Sequence, residues 1–138
     1  NITRDIAPED VPALFVRWAP RASLSPFEHG LCAAIHAFGE ISDEGAFSYF
    51  FCARGSAART AREVLRTAGA DEAARVLDKA LALVDFSEDV TRRRAMLDGL
   101  DDDKRTALSA LQWELDSLRE PTLAALAKYA RTHRAALS

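Results

Sequence analysis

The chain has 138 residues, 49% of them apolar and 28% charged, with a net charge of −3. That length suits one domain with a substantial core, and the mild acidity excludes a dedicated nucleic-acid binder, which needs a basic surplus. No apolar run is long enough to span a bilayer, and two cysteines, Cys32 and Cys52, make no disulfide framework.

Alanine is frequent, while glycine and proline are scarce and fall between periodic segments, a pattern that favours helix throughout. The first helix is expected from Pro8, or only from Pro12, to about Trp18, burying Leu14, Phe15 and Trp18. Ser25-Pro26-Phe27-Glu28 then supplies an N-cap serine, a first-turn proline and a capping-box glutamate. The apolar stripe of that helix is Phe27, Leu31, Ile35, Phe38 and Ile41. A short helix from Ala46 to Ala53 carries Phe47, Tyr49, Phe50 and Phe51, all expected in the core, with Cys52 beside them as an inert core thiol. Ser56 is expected to cap a helix to Ala68, closed by a left-handed Gly69, and Asp71 the next one, which buries Ala74, Leu77, Ala80, Leu81 and Val84. A helix from about Asp89 to Leu97 leads to Gly99 and three aspartates. The next, from about Asp102 to Leu118, buries Leu108, Leu111, Leu115 and Leu118. The last begins near Pro121 and buries Leu123, Leu126, Ala127, Ala130 and Leu137. No segment alternates with period two, so no strand is expected. The fold class is all-α, a compact bundle of about seven or eight short helices, with residues 1–24 as an N-terminal helix and linker and 25–138 as the core.

The segment from Glu40 to Gly69 carries a pattern beyond periodicity. Glu40, Gly45, Phe47, Phe50 and Phe51 are followed by Leu65, Gly69-Ala70, Ala73, Leu77 and Ala80, and later by Leu115-Asp116, Tyr129 and His133. In these residues the chain resembles the DNA mimic protein 19 family, small bacterial all-helical proteins, over about residues 27 to 137. Ala46 stands where that pattern has a second glycine, and no Phe-Tyr pair follows Leu115-Asp116. The resemblance implies a protein whose surface carboxylates imitate duplex phosphates and occupy a DNA-binding protein.

Charge is unevenly placed. Asp71 to Asp103 holds ten acids against five bases, whereas Pro121 to Ser138 holds Lys128, Arg131 and Arg134 and no acid. Asp85, Glu88, Asp89, Asp98, Asp101, Asp102 and Asp103 are therefore the candidate partner-binding carboxylates. The bland reading of the three aspartates is a helix cap plus a solvated turn. Arg92, Arg93 and Arg94 interrupt this segment and are expected to form local ion pairs with Glu88 and Asp89 on a helix face. Trp113 lies nearly opposite Leu108, Leu111 and Leu115. Either its helix packs on two sides, as a central helix does, or Trp113 reaches the surface as a binding hot spot.

His29, Cys32, His36 and Glu40 share one stripe about 80° wide, opposite Phe27 and Leu31. Residues 29 and 40 are three turns apart, too far for one ion, so the stripe is expected to be polar and solvated or partner-facing, with no metal. No Gly-x-Ser-x-Gly, phosphate loop or His-Glu-x-x-His is present, so neither catalysis nor a cofactor is expected. The chain begins at Asn1 rather than Met, so its true N-terminus is expected further upstream. No secretory leader is visible, and reduced thiols suit the cytoplasm. The sequence thus reads as a protein-binding regulatory module with a protein partner, without direct nucleic-acid or membrane binding, and leaves a homodimer open. An immunity-type, toxin-neutralising protein fits the same binding physics. A metal-binding protein or small enzyme using the His29/His36 face is the remaining alternative.

Overall fold

The computed structural model describes residues 6–18 and 24–133; of Val16 and Trp18 only the backbone is described. Among these residues there are eight α-helices and no strand. They are α1 (Val11–Trp18), α2 (Pro26–Glu44), α3 (Ala46–Phe51), α4 (Ala58–Thr67), α5 (Asp71–Leu83), α6 (Val90–Asp98), α7 (Asp102–Asp116) and α8 (Arg119–Thr132). Single 3-10 turns precede α1 and α4. The expected burial of Trp18 and Leu137 falls on side chains outside the described residues.

The organising element is α2, which packs against α1, α3, α4 and α7. Its start is the capping box read from sequence: the Glu28 N–H donates to Ser25 Oγ at 3.2 Å and the Ser25 N–H to Glu28 Oε1 at 3.0 Å. Leu31, Ile35, Phe38 and Ile41 are buried, as expected, while Phe27 is only half-buried; Cys32, Ala34 and Ala37 are buried as well. A helix hemmed in by four neighbours has no fully solvated side. The polar stripe is accordingly half covered: His29 is exposed and Cys32 buried, while His36 and Glu40 are half-buried. α4 approaches closely: a Cβ on Gly30 would lie 3.0 Å from Val64 Cγ2, and Ala61 on α4 is buried.

Two helices end in the same way. After α4, Gly69 takes φ +89°, and the Ala70 N–H reaches back to the Leu65 carbonyl at 2.8 Å. After α5, the equivalent position is Asp85, with φ +47°, and the Phe86 N–H reaches the Leu81 carbonyl at 3.2 Å. Asp85 is the one non-glycine residue with positive φ among those described.

Three local expectations need correction. Asp71 is the first residue of α5 rather than its cap, and Ser56 does not cap α4, whose N-cap is Ala57. The aromatic segment is only partly core. Tyr49 and Phe50 are fully buried, Phe47 is half-buried, and Phe51 (39% exposed) and Cys52 face solvent. A helix as short as α3 has one inward face; Ala46, Tyr49 and Phe50 fill it, and the next residue turns outward.

Candidate functional site

The acidic segment is shaped by what its arginines do. Arg93 lies on α6 in register with Leu97, one turn on, and both are buried. Its side chain is 0% exposed, yet among the described residues it meets no carboxylate within ion-pair distance. Nε donates to the Phe50 carbonyl and Nη2 to the Cys52 carbonyl at 2.7 Å. Nη1 donates to Ser56 Oγ at 2.9 Å and to the carbonyls of Ser87 (3.0 Å) and Glu88 (3.3 Å). The Phe86 ring lies 5.8 Å from the guanidinium. Apart from Ser56 Oγ, the acceptors are carbonyls at the C-terminal end of α3 and in the link before α6, where helix geometry leaves backbone acceptors needing donors. The Cys52 carbonyl also accepts from the Gly55 N–H, and that of Glu88 from Ser56 Oγ. The negative end of α3 also favours a cation. Burial pulls the Arg93 pKa below its usual value, but an arginine starts so high that it stays charged.

Its neighbours behave alike. Arg94 Nε donates to the Phe51 carbonyl at 2.7 Å, and its guanidinium carbon lies 4.8 Å from the centroid of the Phe51 ring. Arg105 donates to the carbonyls of Leu100 (3.0 Å), Leu97 (3.2 Å) and Asp98 (3.1 Å), closing the end of α6, and lies 5.4 Å from the Phe47 ring. The expected ion pairs of Arg92, Arg93 and Arg94 with Glu88 and Asp89 therefore do not form, because carbonyls and rings claim Arg93 and Arg94.

The consequence is electrostatic. Ion pairs among the described residues join Arg62 and Arg66 to Glu63 and Asp78, Lys79 to Glu114, and Arg119 to Asp43 and Asp116. None involves Asp85, Glu88, Asp89, Asp98, Asp101, Asp102 or Asp103, and all seven are exposed. Asp89 and Asp101 do cap helices, accepting from the N–H of Arg92 at 3.1 Å and of Lys104 at 2.8 Å. The side chains of the other five make no hydrogen bond within the described residues.

The structure brings some of these carboxylates together and separates others. Asp85 and Asp101 line one groove of about 220 Å³, between the end of α5 and the turn from α6 to α7, with Met96 and Leu100 in its wall. Asp98, Asp102 and Asp103 adjoin that turn. Glu88 and Asp89 sit at the other end of α6, about 13 Å away along its axis at 1.5 Å per residue. Trp113 is 70% exposed, so the buried placement expected of a central helix is corrected. α7 meets α2, α3 and α5 with Leu108, Leu111 and Leu115 buried, and its other side is exposed at Asp102, Thr106, Ser109 and Trp113. On that outward side Asp102, Thr106, Ser109 and Trp113 fall within one band about 60° wide. The acidic start of α7 and the exposed indole thus share a face, with small side chains between them.

The histidine stripe is a different kind of place. His36 stacks on Phe15 at 5.1 Å and packs against Tyr49 at 5.6 Å, while Ser48 Oγ donates to Glu40 Oε2 at 2.8 Å. Burial lowers the His36 pKa and raises those of the Cys32 thiol and the Tyr49 phenol. Among the described residues no group of three or more His, Cys, Asp or Glu could hold a metal ion. The role of Arg93 was missed from sequence. Its signal was present, since Val90, Arg93 and Leu97 repeat at helical spacing with an arginine at the central inward position.

No helix among the described residues is long and apolar enough to cross a membrane. No curated protein and no solved structure matches the chain. The family model described as DMP19-like protein matches residues 22–133, which takes in every helix except α1, and the chain therefore belongs to the DMP19-like family.

Proposed function

We propose that the chain is a protein-binding regulatory module that works by contact rather than chemistry, presenting free carboxylates around α6 and the start of α7 to a basic, DNA-binding partner. The observation that carries this reading is the commitment of Arg93, Arg94 and Arg105 to backbone carbonyls. Without it, the arginines of the segment would neutralise the acids beside them. With it, the guanidiniums keep their charge, so the surplus of the segment stays at ten acids against five bases, but the seven candidate carboxylates are left out of direct ion pairs among the described residues and open to a partner. Asp85 adds support. A non-glycine residue with φ +47° is strained, and a carboxylate at a helix C-terminus opposes the dipole. A side chain kept at such a position suits a role in contact better than one in folding.

The test begins with protein captured from native extract on the immobilised chain at low salt. The captured protein is then measured against the variant with Asp98, Asp101, Asp102 and Asp103 all changed to Asn. Surface contacts of about 0.2–1 kcal/mol each predict a combined loss of about 1–4 kcal/mol at low salt. Most of it should appear as slower association and fade at high salt. The fold should survive, because Asn caps helices well. Unchanged low-salt affinity in the folded variant would reduce these carboxylates to helix starts.

A further inference from the structure

A second candidate site uses none of the acidic residues. A cavity of about 200 Å³ opens between α1, α2 and the 3-10 turn before α4. Phe15, Cys32, Ala33 and Ala57 form its apolar wall, and Arg54, His29 and His36 supply polar groups. The guanidinium carbon of Arg54 lies 5.0 Å from the centroid of the Phe15 ring, Phe15 stacks on His36, and His36 packs on Tyr49. This column holds the guanidinium against the Phe15 ring. Arg93, Arg94 and Arg105 are all committed to carbonyls, but Arg54 has no ion pair and no hydrogen bond within the described residues. The ring nitrogens of His29 and His36 are likewise unclaimed there. Uncommitted polar groups converging on an apolar cavity are the ordinary form of a small-molecule site.

The geometry points to a binding site for a small organic monocarboxylate, with its carboxylate paired to Arg54 and its apolar body against Ala33 and Ala57. A planar guanidinium edge matches a carboxylate through two parallel hydrogen bonds. Among the described residues of the lining, Arg54 is the one permanently charged group, which suits a singly charged carboxylate better than a doubly charged phosphate. The cavity is smaller than drug-sized pockets of about 300–1,000 Å³, which limits the body to a single ring or a short branched chain. Phe15 lies outside the residues that match the family, so the site depends on a wall contributed by this chain's own α1.

Benzoate serves as the probe, titrated into the full chain and followed by amide shifts in proton–nitrogen NMR spectra. Saturable shifts are expected at Cys32, Ala33, His36, Arg54 and Ala57. Arg54→Gln should weaken benzoate about tenfold or more. Neutral benzamide should bind wild type about tenfold more weakly than benzoate does and be indifferent to that substitution. Ala33→Leu, which fills the cavity and leaves Arg54 in place, should abolish binding of both compounds. Arg54 is exposed, so its replacement leaves the core intact. If the spectrum of that variant nevertheless collapses, Ala33→Leu decides the matter alone. The proposal is overturned if benzoate gives no saturable shifts, if the shifts gather at other arginines, or if Ala33→Leu binds benzoate like wild type.

Discussion

Arg93 Nη2 donates to the Cys52 carbonyl at 2.7 Å, so a side chain from α6 closes the C-terminal end of α3. Deleting that side chain leaves the carbonyls of Phe50, Cys52, Ser87 and Glu88 without this donor. Arg93→Ala is expected to cost about 3–5 kcal/mol, because the Phe50 and Ser87 carbonyls lose this donor at about 1–3 kcal/mol each and a fully buried side chain is emptied. Arg93→Lys keeps the charge but cannot span the same acceptors, and should cost about 1–3 kcal/mol. Urea denaturation checks both. A lysine variant as stable as wild type would show that charge alone, without the fork, holds the two helices together.

Asp85 and Gly69 occupy equivalent positions after α5 and α4, and only the glycine fits without strain. Asp85→Gly should therefore stabilise the fold by about 0.5–1 kcal/mol, through relief of the left-handed backbone. Asp85→Asn keeps the backbone tolerance and removes only the charge facing the helix dipole, so it should gain about 0.3–1 kcal/mol. Both should weaken the partner if Asp85 belongs to the binding face. A loss of stability in the glycine variant would show that the Asp85 side chain supports the turn instead.

His36 makes stability depend on pH. Burial lowers its folded pKa below the ordinary 6.5, so near that value the unfolded chain binds more protons than the folded one. Its contribution is fully present above about 6.5 and is lost as pH falls toward the folded value. Glu40 opposes the shift and Arg54 reinforces it. The urea midpoint of wild type should thus fall more between about pH 7 and pH 5 than that of His36→Phe, which cannot titrate. Parallel curves for the two proteins would remove His36 as the cause.

The elements that sequence foretold are those set by local chemistry. The Ser25–Glu28 capping box starts α2, Gly69 ends α4, and Leu108, Leu111 and Leu115 turn inward on α7. What was not legible depends on partners distant in the chain. The acceptors of Arg93 include Phe50 and Cys52, about forty residues away, so its acidic neighbours looked like its natural partners. The cavity beside His36 needed Phe15 from α1 and Arg54 from the turn before α4. Aromatic density marked a core nucleus correctly at Phe50, but could not say which side of a six-residue helix would face solvent at Phe51. The acidic candidates were visible as charge. Their freedom from ion pairs was not, since it follows from where the arginines point.

Trp113 supplies the test that separates an apolar anchor from an electrostatic face. At 70% exposure it contributes little to the core, so Trp113→Ala should shift stability by no more than about 0.5 kcal/mol. It shares the outward band of α7 with Asp102, and an exposed tryptophan beside charged contacts is the usual form of an interface hot spot. Its removal should then weaken the captured partner by about 2 kcal/mol or more. The loss should appear mainly as faster dissociation and persist at high salt, because apolar burial is not screened. The four-Asn variant should show the reverse salt dependence. If Trp113→Ala binds like wild type while the four-Asn variant does not, the interface is confined to the carboxylates around the α6–α7 turn. If both bind like wild type, the partner meets neither side of this face, and the functional surface lies elsewhere on the molecule.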